Sequence, residues 1–198
     1  MIIRLFKLAT VVFVAAVLSA CTTGGEKGNP TPASSSSTSS QSTSGSEVPA
    51  RPSSLQLGSV DACKLLTPDQ MKQIQAVATR PVELDLVRGA KSPSCHYRGE
   101  DSFTYTVGAV THKGVAYWLG NPGNVNTKVI SVADFGAVEI ELKGGSGFDC
   151  SVAIDVADGQ QLMVSYVPTS ASEKDQSVLC GKAEKAADLA LATLKTLK

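Results

Sequence analysis

The cysteines carry the most distinctive chemistry in this sequence, and Cys21 differs from the others by what precedes it. A Leu-Ser-Ala tripeptide stands directly before Cys21, and an uncharged apolar run that starts at Leu8 leads up to it. A small residue in that position lets a lipoprotein-type peptidase cut before the cysteine, whose thiol then carries a diacylglyceryl group. We therefore predict residues 1–20 to be a lipoprotein signal peptide and Cys21 to be the lipidated residue.

The same segment predicts where the protein resides. A helix that spans a bilayer needs about 20 apolar residues, and the run from Leu8 to Ala20 is shorter. Arg4 and Lys7 precede the run, as in signal peptides. Several acyl chains on one cysteine make a stable anchor, so we expect the protein at the extracytoplasmic face of the cell membrane. A plain secreted protein with an unmodified Cys21 is the alternative.

The remaining cysteines, Cys63, Cys95, Cys150 and Cys180, predict disulfide bonds. They are even in number, and an exported chain reaches an oxidising compartment. None of them belongs to a Cys-x-x-Cys pair, so neither a zinc site nor a thioredoxin-like redox motif is indicated. Among the possible pairings we favour Cys63–Cys95 with Cys150–Cys180, because each bond would tie one terminal helix to a nearby strand.

No motif for catalysis or for a cofactor is found in the sequence. The chain has no Gly-x-Ser-x-Gly elbow, no Ser-x-x-Lys, no His-Glu-x-x-His and no phosphate-binding glycine loop. Glu139 and Glu141 alternate with apolar residues and are expected on the solvent face of a strand. His96 is expected to be an ordinary strand residue and not a metal ligand. We therefore predict that the protein is not an enzyme and has no metal or cofactor.

Four aromatic residues are further candidates for a ligand cleft, although core or cross-strand packing is their expected role. They are Tyr97, Tyr105, Tyr117 and Trp118. Charge indicates no additional site, because 18 basic and 18 acidic residues are dispersed along the chain without a basic cluster. Binding to nucleic acid or to anionic lipid headgroups is therefore not expected.

Composition divides the exported chain into two parts. Residues 21–54 are rich in Ser, Thr, Pro and Gly and have few apolar side chains, so they cannot bury enough surface to fold. We predict a disordered linker there, after the lipidated cysteine, with an average span of roughly 30 Å. Residues 55–198 have the usual size of one domain.

Two helices are predicted at the ends of this domain. Thr67 and Gln70 suit a capping box, and Pro81 disfavours helix in the residue before it, so we predict a helix over residues 67–78. An Ala/Leu stripe that starts at Cys180 predicts a second helix at the C-terminus.

Between the two helices, alternation of apolar and polar residues predicts strands with one wet face. They cover residues 82–86, 103–109, 138–142, 148–156 and 160–167. Tight turns and alternating faces favour an antiparallel sheet. The expected fold class is thus α+β, an antiparallel sheet packed by an N-terminal helix and a C-terminal helix and held by two disulfides.

The turn between the last two strands predicts their register. A three-residue loop that ends at Gly159, with this residue in the left-handed region, would set Ile154 opposite Leu162 and keep the apolar side chains on one face. A two-residue loop would set Ile154 opposite Met163 and mix the two faces. We predict the three-residue loop.

The order of these motifs resembles the actinobacterial lipoproteins of the domain of unknown function 3558 family. After the lipobox and the Ser-rich linker, the motifs are Asp61–Pro68, Cys95–Tyr97, Cys150–Val156 and the final helix from Cys180. The resemblance covers nearly all of the folded part, although the family more usually has proline at the position of Ala62 and tryptophan at that of Tyr97. It implies a cell-envelope lipoprotein of undefined role and brings no catalytic residues.

We therefore expect a membrane-anchored extracytoplasmic lipoprotein that acts as a binding or interaction module of the cell envelope. Its expected partners are the membrane, through the lipid at Cys21, and an envelope protein or a small-molecule ligand. One alternative is a hydrolase or cell-wall-modifying enzyme, which a His or carboxylate beside Ser or Thr in a cleft would favour. The other is a carrier of an apolar small molecule, which a sizeable apolar cavity with one opening would favour.

Overall fold

A seven-stranded sheet is the framework of the residues that the structure describes. The computed structural model describes residues 47–100, 103–120, 123–144, 148–169 and 175–197. Its strands are β1 (Ala76–Val87), β2 (Ala90–Gly99), β3 (Phe103–Val110), β4 (Val125–Val132), β5 (Phe135–Leu142), β6 (Cys150–Ala157) and β7 (Gln160–Pro168). They form one sheet in the order β1-β2-β3-β7-β6-β5-β4, and every neighbouring pair is antiparallel. The predicted antiparallel sheet is confirmed, with more strand than the α+β class suggests.

Helix α3 covers one face of the sheet. The helical segments are a 3₁₀ helix (Ala62–Lys64), α1 (Pro68–Gln73), α2 (Ala116–Leu119) and α3 (Gln176–Leu194). α3 packs on β6 and β7, and it buries side chains that include Leu179, Ala183 and Leu191. The predicted C-terminal helix is therefore confirmed. Among the described residues, no helix is long and apolar enough to cross a membrane.

The first helix begins as predicted but ends early. Thr67 Oγ1 accepts a hydrogen bond from the N–H of Gln70 at 3.3 Å, and Gln70 Oε1 accepts one from the N–H of Thr67 at 2.7 Å, which completes the capping box. The helix ends at Gln73, and Gln75 has a φ of 59°, which is not helical. The predicted helix over 67–78 is wrong beyond this point, because strand pairing with β2 begins at Ala76. No side chain of α1 is buried, so packing of the sheet by an N-terminal helix is not confirmed.

The hairpin of β6 and β7 has the predicted register. Ile154 lies opposite Leu162, and Cys150 lies opposite Tyr166. Gly159 has a φ of 68°, which is the left-handed conformation that the three-residue loop requires. Because this register keeps one face apolar, the hairpin packs that face into the main core under α3.

Both faces of the central strands are buried, whereas the alternation predicted one wet face. α2 stands between β3 and β4 in the chain and packs on the face opposite α3. There Trp118 belongs to a second, smaller apolar cluster with Val138 and Met163. Its indole N–H donates a hydrogen bond to Gln161 Oε1 at 2.7 Å. The face that we expected to be wet is therefore a second core.

The described chain starts before the predicted domain boundary at residue 55. Arg51 Nη1 donates a hydrogen bond to Asp155 Oδ2 at 2.7 Å, and the same guanidinium pairs with Asp158. The last part of the predicted linker is thus attached to the hairpin of β6 and β7. The predicted signal peptide, the lipidated Cys21 and the linker up to residue 46 lie outside the described residues.

Candidate binding site

The four other cysteines form the two disulfides that we favoured. Cys63 is bonded to Cys95 and Cys150 to Cys180, with a Cα–Cα distance of 5.0 Å in each bond. Beside the second bond, a carboxylate oxygen of Glu139 and the two sulfur atoms all lie within 4.8 Å of one another. Because these sulfurs are bonded to each other, they offer no thiolate ligand to a metal ion. In the disulfide form, this cluster is therefore not a metal site.

Two hydroxyl groups and one imidazole that could serve catalysis have other partners. The Oγ atoms of Ser151 and Ser165 lie 2.7 Å apart and bond to each other. One ring nitrogen of His112 lies 2.8 Å from the carbonyl oxygen of Val87. These contacts occupy the groups in structural hydrogen bonds.

His96 and Thr106 are the closest approach to a catalytic pair. They lie opposite each other on β2 and β3, and in the described part of the chain no hydrogen bond joins them. Burial lowers the pKa of His96, and the nearby positive charges of Arg80 and Arg98 lower it further. The imidazole is therefore held mainly neutral at pH 7, as expected of a strand histidine.

Three of the four aromatic candidates, Tyr97, Tyr105 and Trp118, are buried in the core as expected, and Tyr117 is partly buried against the smaller cluster. Tyr97 is buried, and its hydroxyl donates to the carbonyl oxygen of Ala62 at 2.7 Å and accepts from the N–H of Leu66 at 3.3 Å. Burial raises the pKa of Tyr97 to about 12, so the hydroxyl keeps the proton that it donates. Tyr105 packs on Tyr166 with the ring centroids 4.9 Å apart.

Glu139, which we expected on the solvent face of a strand, is buried, with 6% of its surface exposed. It shares a face of β5 with Phe135 and Ala137, which belong to the main core under α3. Lys128 Nζ lies 3.4 Å from Glu139 Oε1, and the carboxyl group of Glu184 on α3 lies near that of Glu139. The prediction was wrong because apolar residues occupy both faces of β5.

The pair of carboxyl groups makes stability depend on pH. Burial raises the pKa of Glu184 above its ordinary value of 4.5, and the neighbouring carboxyl group of Glu139 raises it further. Stability is therefore lost as the pH rises from the ordinary pKa of Glu184 through the raised one. We expect Glu184→Gln to increase the free energy of unfolding at pH 7 and to lose this advantage below the ordinary pKa of glutamate.

Urea titrations at several pH values measure this difference. Glu100→Gln, which removes an exposed negative charge, is the matched control. A stability gain for Glu184→Gln that stays constant from pH 3 to pH 7 would contradict the raised pKa of this carboxyl group.

A groove lies between the edge strand β4 and α3. We call it the β4–α3 groove; its lining residues are Ser131, Val132 and Ala133 on the strand side and Gly181, Glu184, Lys185 and Asp188 on the helix side. The cavity in it measures about 380 Å³. β4 pairs with β5 along its whole length without a register shift, and no described strand pairs with its outer side. As far as the described residues go, backbone N–H and C=O groups along this edge are therefore open to another chain.

The other edge of the sheet, β1, is built differently. Its pairing with β2 contains two register shifts, and Pro81 and several charged residues lie along it. Bulges, proline and charges are the usual means by which proteins block an edge strand. β4 has one lysine and neither a proline nor a bulge.

The turn that joins β4 to β5 is strained. Ala133 and Asp134 have φ values of 44° and 70°, as a two-residue type I′ hairpin turn requires. This conformation is less stable for an L-residue by roughly 1–2 kcal/mol. Lys195 Nζ donates a hydrogen bond to the carbonyl oxygen of Ala133 at 3.2 Å. One wall of the groove is thus held in a conformation that its own residue disfavours.

We expect Ala133→Gly to raise the free energy of unfolding by about 1 kcal/mol, because glycine adopts a positive φ without a steric cost. Ala133→Val should lower it, since a β-branched side chain tolerates this conformation poorly. Urea unfolding of both variants beside the unchanged chain measures the effect. A glycine variant less stable than the alanine would show that the turn is unstrained.

A second cavity, of about 320 Å³, lies at the hairpin of β6 and β7. We call it the hairpin cavity; Val48, Val115 and Leu119 give it apolar walls, while Arg51 and Asp155 contribute charges that pair with each other. The last part of the predicted linker thus forms one wall. This arrangement suits a small ligand with an apolar body.

Comparison with protein families gives one finding. The model of DUF3558, a family of proteins of unknown function, matches residues 16–193. The match spans the cysteines of both disulfides and all the strands of the described sheet. No curated protein and no solved structure matches the chain.

Proposed function

The chain belongs to the DUF3558 family of proteins of unknown function, and from that premise we propose that it is a membrane-anchored binding module of the cell envelope. In this proposal Cys21 carries the lipid, the segment up to residue 46 is the tether, and the folded part binds a partner at the extracytoplasmic face without turnover. The observation that supports it best is the β4–α3 groove, where a free strand edge runs beside a cavity.

The difference between the two edges of the sheet favours recognition at β4. A free edge exposes backbone donors and acceptors that pair readily with other chains, so natural proteins usually block it. β1 is blocked by bulges and proline, whereas β4 is regular along its length. Several kinds of recognition domain bind their partners by adding a strand to such an edge. An edge left open on one side only is best explained by a partner that uses it.

Two other functions have weaker support. A carrier of an apolar small molecule is supported by the hairpin cavity, whose volume of about 320 Å³ falls at the lower end of the usual range for ligand pockets, roughly 300–1,000 Å³. A hydrolase or cell-wall-modifying enzyme is supported by the position of His96 opposite Thr106. That pair lacks the hydrogen bond by which a base activates a hydroxyl nucleophile.

Incubation of the unlipidated mature chain with isolated cell envelope, and with ester, peptide and glycoside substrates, separates these functions. The proposal predicts saturable retention on the envelope and no product. Sustained turnover that disappears in His96→Ala or Thr106→Val would contradict it. Binding of an apolar fluorescent probe that is lost in Leu119→Arg, without retention on the envelope, would favour the carrier.

A further inference from the structure

We infer that the partner of the β4–α3 groove is an extended peptide segment that pairs with β4 as an added strand and places a lysine or arginine side chain in the cavity beside α3. This inference rests on the proposed function and names the chemistry of its partner. The partner is expected to be a protein segment because the free groups along β4 are backbone donors and acceptors, which another backbone matches best.

The geometry of a sheet determines where the side chains of an added strand would lie. Successive side chains of a strand point to opposite faces, so alternate residues of the peptide would lie on the face that α3 covers. The cavity is on this face, between the end of β4 and the middle of α3. One side chain of the peptide would therefore enter it, and its neighbours two residues away would lie along β4.

Charge in the cavity selects the side chain. Glu184, Lys185 and Asp188 line the helix side, so its acids outnumber its bases by one. Asp188 forms no ion pair with any described residue. The ammonium groups of two nearby lysines are held by carbonyl oxygens, that of Lys195 at the rim of the cavity. Lys185 Nζ donates to the carbonyl oxygen of Gln73 at 2.9 Å, and Lys195 Nζ donates to that of Ala133 at 3.2 Å.

Lys128 is another basic group close to Glu184, and its ammonium lies against Glu139. An incoming cation would therefore meet two carboxyl groups, while the ammonium groups of the nearby lysines are held at other oxygen atoms. It would also favour the ionised form of Glu184, which its present surroundings disfavour. A basic side chain fits this cavity better than an acidic or an apolar one.

A second copy of the chain fits the edge less well. Antiparallel pairing of β4 with its own copy would bring two Lys128 side chains close together on one short stretch of sheet. Like charges on neighbouring strands are destabilising. The peptide segment is therefore expected to belong to a different protein, and a dimer of this chain is an outcome that the test must distinguish.

Gly181 allows the cavity to be filled without disturbing the core. It lies in α3 on the groove, and a Cβ atom placed there meets no other atom within 4 Å. Gly181→Trp is expected to occupy the cavity, whereas Gly181→Ala adds a single methyl group and is the matched control. Both replacements favour the helix over glycine, and circular dichroism checks that both variants are folded.

The test is selection of a displayed library of random peptides of about eight residues against the unlipidated mature chain. The enriched peptides are expected to carry a lysine or arginine flanked by β-branched residues at alternate positions. Their affinity should fall about tenfold or more for Gly181→Trp and for Glu184→Gln with Asp188→Asn, and should change little for Gly181→Ala. Absence of enriched peptides, or winners whose binding is indifferent to Gly181→Trp, would overturn the inference.

Two further measurements separate this inference from the proposed function. Sedimentation of the purified chain that shows a dimer, disrupted by Gly181→Trp, would replace the peptide with a second copy. Retention on isolated envelope that persists in Gly181→Trp would leave the binding module in place and refute the β4–α3 groove as the peptide site. If the unchanged chain is not retained on the envelope at all, the proposed function is refuted.

Discussion

Replacement of Cys21 by alanine is expected to abolish incorporation of a fatty acid into the protein. Lipoprotein processing needs the cysteine thiol to accept the diacylglyceryl group, and no other cysteine stands after a comparable apolar run. Labelling cells with an alkyne analogue of palmitate, followed by capture of the protein, measures this directly. The unchanged chain should be labelled, and Cys21→Ala should be unlabelled and retain its uncut or differently cut leader.

Thr22→Ala, one residue after the cleavage position, is the matched control and should keep both the label and the processing. Extraction with carbonate completes the test, because several acyl chains hold a protein at the bilayer through conditions that remove peripheral proteins. A labelled Cys21→Ala protein of mature size would contradict the lipobox and leave the alternative of a secreted protein.

Removal of the Cys150–Cys180 disulfide should cost about 3.5 kcal/mol of the free energy of unfolding. The bond closes a loop with a sequence separation of 30, so its loss allows the unfolded chain many more conformations. It also fixes the start of α3 to β6, where both sulfur-bearing residues are buried. Urea unfolding of the Cys150→Ala, Cys180→Ala double variant beside the oxidised chain measures this loss.

The second disulfide supplies a control of nearly equal loop length. Cys63–Cys95 has a sequence separation of 32, so its removal should cost a similar amount through loop entropy. Hydrogen exchange distinguishes the two, because amides of α3 should lose protection only in the Cys150, Cys180 variant. A loss below about 1 kcal/mol in both double variants would show that the disulfides are not important to stability.

Features with a local cause were predictable from the sequence. The capping box at Thr67 needs contacts within four residues, and the register of the last hairpin follows from one glycine in the left-handed region. The disulfide pairing was also predicted. So was the C-terminal helix, although α3 begins at Gln176, before the predicted start at Cys180.

Features that depend on distant residues were missed. The strand β2 and the strand β4 were not predicted, because serine, lysine and threonine interrupt their alternation. Residues 76–78 were assigned to a helix, although pairing with β2 makes them the start of a strand. In each case hydrogen bonds to a neighbouring strand outweigh the local preference.

The β4–α3 groove could not be predicted for the same reason. The sequence shows neither that β4 lies at the edge of the sheet nor that α3 passes beside it, because both follow from the crossover between β3 and β4. The burial of Glu139 was missed because the alternation on β5 is apolar on one face and mixed on the other. Residues of the groove on the helix, such as Glu184 and Asp188, are of the types that usually lie on a solvent-exposed helix face.

The most direct test of recognition through the β4–α3 groove compares retention of three unlipidated mature chains on isolated cell envelope. The chains are the unchanged sequence, Gly181→Ala and Gly181→Trp, each titrated to saturation. We expect saturable retention of the first two with similar apparent affinity. The apparent affinity of Gly181→Trp should be about tenfold lower or weaker still, because the indole fills the cavity that the partner enters. Equal retention of all three chains, or none for any of them, would contradict recognition through the β4–α3 groove.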